Sequence, residues 1–265
     1  MTLDLAHVAD AFSKFTGLLE TIYADLAQPG VRQVGKALET SLGLGNTLLI
    51  PISLVNERAR ILFTQNMDKY RKEMETVPED EVIPAAPEIA VPIIEKLTYV
   101  SDEKLSDLYT KLLASASDKR RVKNAHPSFV NVINNISPDE AILLPRIYRE
   151  GRVPYLTALA QRIGEPGTIS LGNATEDRLA EGLVFEENVS AYLANLSGLG
   201  ILEVDRTRWL KDVTRYEALE KDATPLIELQ MRSTPHLRDR ELHFQRGIVE
   251  ITAYGIVFIT ACGHQ

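Results

Sequence analysis

The chain has 265 residues, 45% hydrophobic and 25% charged, enough to bury a sizeable core without covalent staples. Its formal net charge of −8 argues against a general nucleic-acid or anionic-membrane binder, which carries a basic field, and leaves room only for local basic patches. The single Cys262 excludes an intramolecular disulfide and a cysteine-rich zinc site and fits a reducing compartment, and the opening MTLDLAHVADAF lacks a basic region followed by a long apolar run, so a cytoplasmic protein is expected.

In chain order, Leu5, Val8, Phe12, Phe15, Leu19, Ile22 and Leu26 recur at threes and fours and predict a helix over 3–27, ended by Pro29-Gly30. A shorter helix follows from Val31 to about Leu42. The apolar run at 42–55 carries Gly43, Gly45, Asn46 and Pro51; like 247–263, interrupted by Glu250, it falls short of the roughly 20 residues of a membrane span and is expected in a protein core. A third helix is predicted from Ile52 through Val55, Ala59, Leu62 and Phe63 to Met74, its polar end NMDKYRKEMET presenting a solvated face. Pro78, Pro84, Pro87 and Pro92 then remove donors and favour extended geometry, so a boundary is placed near 77–87, as a semi-rigid arm.

Beyond the arm, Ile89, Ile93, Ile94 and Leu97 mark one helix. Ser101 is the expected N-cap of the next, with stripe Leu105, Leu108, Leu112 and Leu113. In SPDEAILL, Ser137, Pro138 and Glu140 have the form of a capping box; in HPSFVNVI, His126 and Pro127 stand where Ser137 and Pro138 stand. From Pro138 onward the pattern reads as a helix to about Glu150, a short helix over PYLTALAQRI, a helix with Val189, Leu193, Leu196 and Leu199, then a glycine turn into the β-prone ILEV. An irregular insert at about 206–243, the alternating strand GIVEIT and a closing helix complete the order of a winged helix with a long wing.

The charges test what such a fold does. Residues 139–265 hold 14 Lys/Arg against 19 Asp/Glu, and the helix at the recognition position, 188–199, holds Asn188 and Asn195 but no cation. DNA affinity rests largely on neutralised phosphates, so a protein–protein role is favoured over DNA reading. Two basic stretches keep nucleic-acid or anion contact as an alternative: Lys119, Arg120, Arg121 and Lys123 ahead of a helix start, and Arg206, Arg208, Lys211 and Arg215 in the wing. His7, His126, His236, His243 and His264 form no i, i+4 pair and no HExxH, and GLGN and GEPG lack a full phosphate-binding pattern, so neither metal nor cofactor is expected. Cys262, in an apolar helix, reads as a buried inert thiol. An acid–base pair of His126 with Asp118 or Asp139 is the one catalytic constellation to be built, which makes His126 the candidate catalytic residue against its reading as a helix-start residue.

These residues also resemble a known family. Ile83, Pro84 and Pro87; Asp102, Glu103, Leu105, Leu108, Leu112, Leu113 and Ala114; and His126, Pro127, Ser128, Phe129, Ile133, Ser137, Pro138, Glu140, Ala141 and Leu144 resemble hallmarks of the Abi-alpha (abortive infection alpha) family. Thr252, Tyr254, Gly255, Phe258, Ala261 and Cys262 resemble its closing motif. The match is strong over 78–145, looser over the last 25 residues, and one of character alone over the first 75. It implies a role in bacterial antiphage defence and brings no catalytic residues.

The sequence therefore predicts a mainly α protein: an N-terminal helical region (1–77) suited to oligomerisation, a Pro-rich arm with a helical core (78–138), and a winged-helix-like domain with a small β-wing (139–265). The expected function is non-enzymatic defence through protein–protein contacts, as a homo-oligomer or with a protein partner and with no stable membrane span. A DNA- or RNA-binding regulator and a nuclease-like toxic effector centred on His126 are the alternatives.

Overall fold

The computed structural model describes residues 57–263 together with Ala37 and Thr40, both helical. The helix expected over 3–27, most of that over 31–42, the apolar run at 42–55, His7 and His264 lie outside the described residues. The chain divides into two compact units: Met1–Pro138 with Val257–Gln265, and Asp139–Ile256.

In the first unit, α1 (Glu57–Met74) buries Ala59, Phe63, Met67, Tyr70 and Met74, spaced by threes and fours along one face. Asp68 and Lys72 on the opposite side are exposed, so the polar stretch 66–76 is solvated on one face only. Asn66 lies on the buried face, and its Nδ2 donates to the carbonyls of Leu97 (2.9 Å) and Val100 (3.2 Å). Those carbonyls lie at and beyond the end of α2 (Pro87–Leu97), where helix acceptors have no partner of their own.

The proline-rich stretch before α2 is stitched down rather than loose. Ile83 N–H donates to Ser117 O, Lys119 N–H donates to Glu81 O, and Val82 bridges Asp118. Helix α3 (Glu103–Ala116) starts one residue later than expected: Asp102, not Ser101, is the N-cap, its carboxylate accepting from Leu105 N–H at 3.0 Å. An ionised cap adds a charge–dipole attraction that a serine lacks. α4 (Ser128–Asn134) buries Phe129, Val130, Val132 and Ile133.

The second unit opens with α5 (Pro138–Glu150) and is built on a four-stranded antiparallel sheet of order β2-β1-β4-β3, a curled half-barrel. β1 is Arg152–Arg162, β2 Thr168–Ala174, β3 Leu202–Asp205 and β4 Arg240–Ile251. α6 (Val189–Gly198) precedes β3, and α7 (Thr214–Ser233) packs on β1, β2 and β4. The mainly helical class and the wing-like β region are as the sequence predicts, but two of its elements are corrected.

PYLTALAQRI is strand β1, not a helix. Val153–Ala158 are all buried, which covers both faces of the strand there, so the run shows no period-2 alternation and looks helical. Pro154 is tolerated there because pairing with β2 begins only at Leu156. The insert at 206–243 is not irregular: it holds the 20-residue α7, which buries only Tyr216, Leu219 and Met231 and contains Pro225, and so shows a weak stripe. Leu156, Tyr216 and Leu219 form one core cluster with Leu210 and Phe244; Ala160, Met231 and Leu237 form another with Ile169, Leu171 and Leu242.

The last helix, α8 (Ala253–Ala261), is started by Thr252, whose Oγ1 accepts from Gly255 N–H (2.9 Å) and donates to Gly200 O (2.6 Å). Gly255 is required by space: a Cβ there would sit 2.2 Å from Ile201 O. From Val257 onward α8 belongs to the first unit. There Phe258 meets Phe129 edge to face at 5.3 Å, and Ser115 Oγ donates to Ala261 O at 2.6 Å. Cys262 is wholly buried and its thiol is pushed up by burial, so it stays an inert thiol.

Candidate functional site

The stretch 118–126 lies between α3 and α4 and centres on Asp118, whose side chain is wholly buried. Its carboxylate accepts from Arg120 N–H (2.9 Å), Arg120 Nε (3.0 Å), Arg120 Nη2 (2.8 Å) and Arg121 Nε (2.8 Å). Burial alone would raise its pKa; the Arg120 side chain and backbone N–H, then Arg121, outweigh that and bring it down to about 2. Two of the four cations in this stretch are therefore spent inside the unit. Lys119 and Lys123 are exposed and make no ion pair among the described residues.

His126 is exposed at the start of α4. Its Nδ1 accepts from Ser128 N–H at 3.1 Å and lies 2.6 Å from Ser128 Oγ, with the ring 5.8 Å from that of Phe129. A lone pair aimed at a backbone N–H makes Nδ1 an acceptor and satisfies one orphan donor of the helix start. The acid–base pairings weighed for His126 find both carboxylates engaged elsewhere, Asp118 by its arginines and Asp139 by Val184, Phe185 and Tyr192.

Of the cations expected in the wing, Arg208, just beyond β3, pairs with Asp205 and Glu250, and Arg215, on α7, pairs with Glu176. Arg206 places its guanidinium 5.5 Å from the centre of the Tyr155 ring. Lys211 is exposed without an ion pair among the described residues, next but one to an exposed Trp209. Four of the eight cations that kept a nucleic-acid reading open, Arg120, Arg121, Arg208 and Arg215, are thus neutralised locally. Asn195, on α6, donates to Glu140 at 2.7 Å rather than standing ready for a base edge. No group of three or more His, Cys, Asp or Glu side chains suited to a metal occurs among the described residues, and none of their helices is long and apolar enough to cross a membrane.

The feature missed in the sequence is the segment 176–188, pinned from three sides. Arg146 Nη1 donates to the carbonyls of Leu179 (2.8 Å) and Glu181 (2.7 Å). Arg178 pairs with Glu150 and with Glu176 (2.7 Å). Asp139, buried at the start of α5, accepts from Val184 N–H (2.9 Å), Phe185 N–H (3.0 Å) and Tyr192 Oη (2.8 Å). Burial would raise the Asp139 pKa; the two backbone donors and the Tyr192 hydroxyl overcome it and hold the carboxyl low. Despite this bracing, the side chains at the tip face solvent, Val184 at 74% and Phe185 at 53% exposure. Single exposed hydrophobics are ordinary, but an adjacent pair on a backbone ordered by a buried acid is a rigidly presented apolar knob. The only hint in the sequence is Asp139 itself, which there is weighed as an acid–base partner of His126.

Comparison with curated proteins finds no match. Among solved structures, an uncharacterized protein from the hydrocarbon-degrading marine bacterium Alcanivorax borkumensis SK2 is similar at 17% identity, with 54% of this chain and 94% of that one covered and a TM-score of 0.35. Residues 62–262 match the family described as abortive infection alpha, which takes in both units and runs from α1 through Cys262. The chain belongs to the abortive infection alpha family.

Proposed function

We propose that this protein is a non-enzymatic component of abortive antiphage defence that works through protein–protein contacts, with the Val184–Phe185 tip as its anchor. Family membership supports the defence setting. The observation that carries the contact reading is the bracing of 176–188 beneath two exposed apolar side chains. An aromatic side chain ordered before association loses less freedom on binding, so more of its burial appears as affinity.

The local neutralisation of Arg120, Arg121 and Arg208 favours this reading over a DNA- or RNA-binding regulator, since each phosphate contact needs an available cation. The engagement of His126 at the start of α4 favours it over a nuclease-like effector. The test is growth under phage attack at low and high phage-to-cell ratios, with wild type beside a Val184→Ser/Phe185→Ser variant. Wild type is expected to protect at low ratio and to let the culture collapse at high ratio. The variant, folded and present in equal amount, is expected to lose protection; full protection by it refutes the anchor. Light scattering on the purified protein then separates a second copy of the chain from a different partner.

A further inference from the structure

The second unit holds a cavity of about 330 Å³ where the C-terminal turn of α7, the short turn Pro235–Leu237 and the start of β4 converge. Its floor is Met231, Leu237 and Leu242, part of the second core cluster and hence fixed by packing. Its rim is Arg232, Arg238 and Arg240, with Glu228. Arg232 is neutralised by Glu228 at 3.0 Å. Arg238 and Arg240 are not: their Nε groups donate to the carbonyls of Arg232 (3.0 Å) and His236 (3.3 Å), and neither meets a carboxylate among the described residues.

Arg146, Arg149 and Arg206 of this unit likewise have no carboxylate partner among the described residues, but none of them lines this apolar-floored cavity. Acids outnumber bases in the unit, and Arg162, Arg178, Arg208, Arg215 and Arg246 each carry a carboxylate partner. Two guanidinium groups oriented through Nε, with their remaining N–H edges unmatched, leave about two positive charges over an apolar floor. A planar guanidinium edge suits an oxyanion, bidentately where the approach allows. The volume falls in the lower part of the range for small-molecule pockets, roughly 300 to 1,000 Å³. The adjoining Glu228 carboxylate disfavours a second negative charge on the far side of the ligand.

We infer that this cavity is a binding site for a small amphipathic anion, a single carboxylate or phosphate head on a short apolar body. The head meets Arg238 and Arg240, and the body covers Met231, Leu237 and Leu242. The inference does not depend on the Val184–Phe185 anchor, which lies elsewhere in the sequence and shares no residue with it.

The test is titration calorimetry on the full chain with octanoate, octyl phosphate, octanol and inorganic phosphate, all below micelle formation. At least one of the two amphipathic anions is expected to bind, and which one identifies the head group. Octanol and inorganic phosphate are expected to bind at least tenfold more weakly, since each lacks one half of the recognition. Arg238→Gln/Arg240→Gln, whose fold is checked by its thermal melt, is expected to weaken the anion at least tenfold; Leu242→Asn tests the floor in the same way. No binding of either amphipathic anion, equal binding of octanol, or unchanged affinity in the arginine variant overturns the site.

Discussion

The buried carboxylate of Asp139 accepts the backbone N–H of Phe185 at 3.0 Å, while the Phe185 ring itself stands in solvent. One residue thus joins the interior of the second unit to an exposed apolar part of its surface. Removing the acid should loosen the tip without touching its side chains. Asp139→Asn keeps one acceptor for two backbone donors and loses the charge, so a stability loss of about 2 kcal/mol is expected in urea unfolding. Amide exchange at Val184 and Phe185 should quicken more than elsewhere in the unit. Unchanged exchange at those two amides would show that the loop is ordered by something else.

The tip side chains should have the opposite profile. Val184→Ser and Phe185→Ser remove exposed groups, so stability should stay within about 0.5 kcal/mol of wild type. Loss of phage protection beside an unaltered melt would assign them to contact; a melt lowered by several degrees would assign them to packing.

Asp118 makes an acid-side prediction. Its folded pKa of about 2 lies below its ordinary 3.8, so the folded state binds the proton less readily than the unfolded one. Its contribution to stability is therefore fully present above about pH 4 and is lost as pH falls toward 2. In Asp118→Asn the unfolding curves at pH 7 should shift toward wild type at pH 2, the gap between the two proteins narrowing as acid is added. A gap that is constant with pH would mean that Arg120 and Arg121 do not depend on the carboxylate charge.

For His126 the prediction is about stability. His126→Ala deletes the acceptor for Ser128 N–H, and the cost should be about 1 kcal/mol, in the range of a lost helix cap. His126→Asn, which can still accept there, should recover most of it, and both variants should protect against phage. Loss of protection in a stably folded His126→Asn would move the site to the imidazole.

How much of this was legible depended on where each residue's partners sit in the chain. Helix α3 is readable because Leu108, Leu112 and Leu113 repeat within one element, although its cap falls on Asp102 and not on the expected Ser101. β1 is misread because consecutive residues, Val153 to Ala158, are buried on both of its faces, which erases the alternation that marks a strand. α7 is missed because three buried positions in twenty give almost no stripe. The braced tip is invisible for a different reason: Asp139 and its backbone donors are 45 and 46 residues apart, and backbone donors leave no mark in a sequence. Of the candidate cations, the types and positions are plain in the sequence. That Arg120, Arg121 and Arg208 are consumed by carboxylates while Arg238 and Arg240 are not emerges only from side-chain geometry.

The division of the chain also sets the order in which it can be finished. The first unit needs Phe258, Ile259 and Cys262, all buried, and Ser115 waits 146 residues for the Ala261 carbonyl. A ribosome adding roughly 5–20 residues per second takes on the order of ten seconds to make the intervening unit. Throughout that interval the α3–α4 core lacks its last helix and shows an apolar face around Phe129 to chaperones and proteases. A chain broken off before Val257 can never close that face. Translation to the end is therefore a condition for a finished first unit, and an interrupted message yields a substrate for degradation instead of a partly active protein.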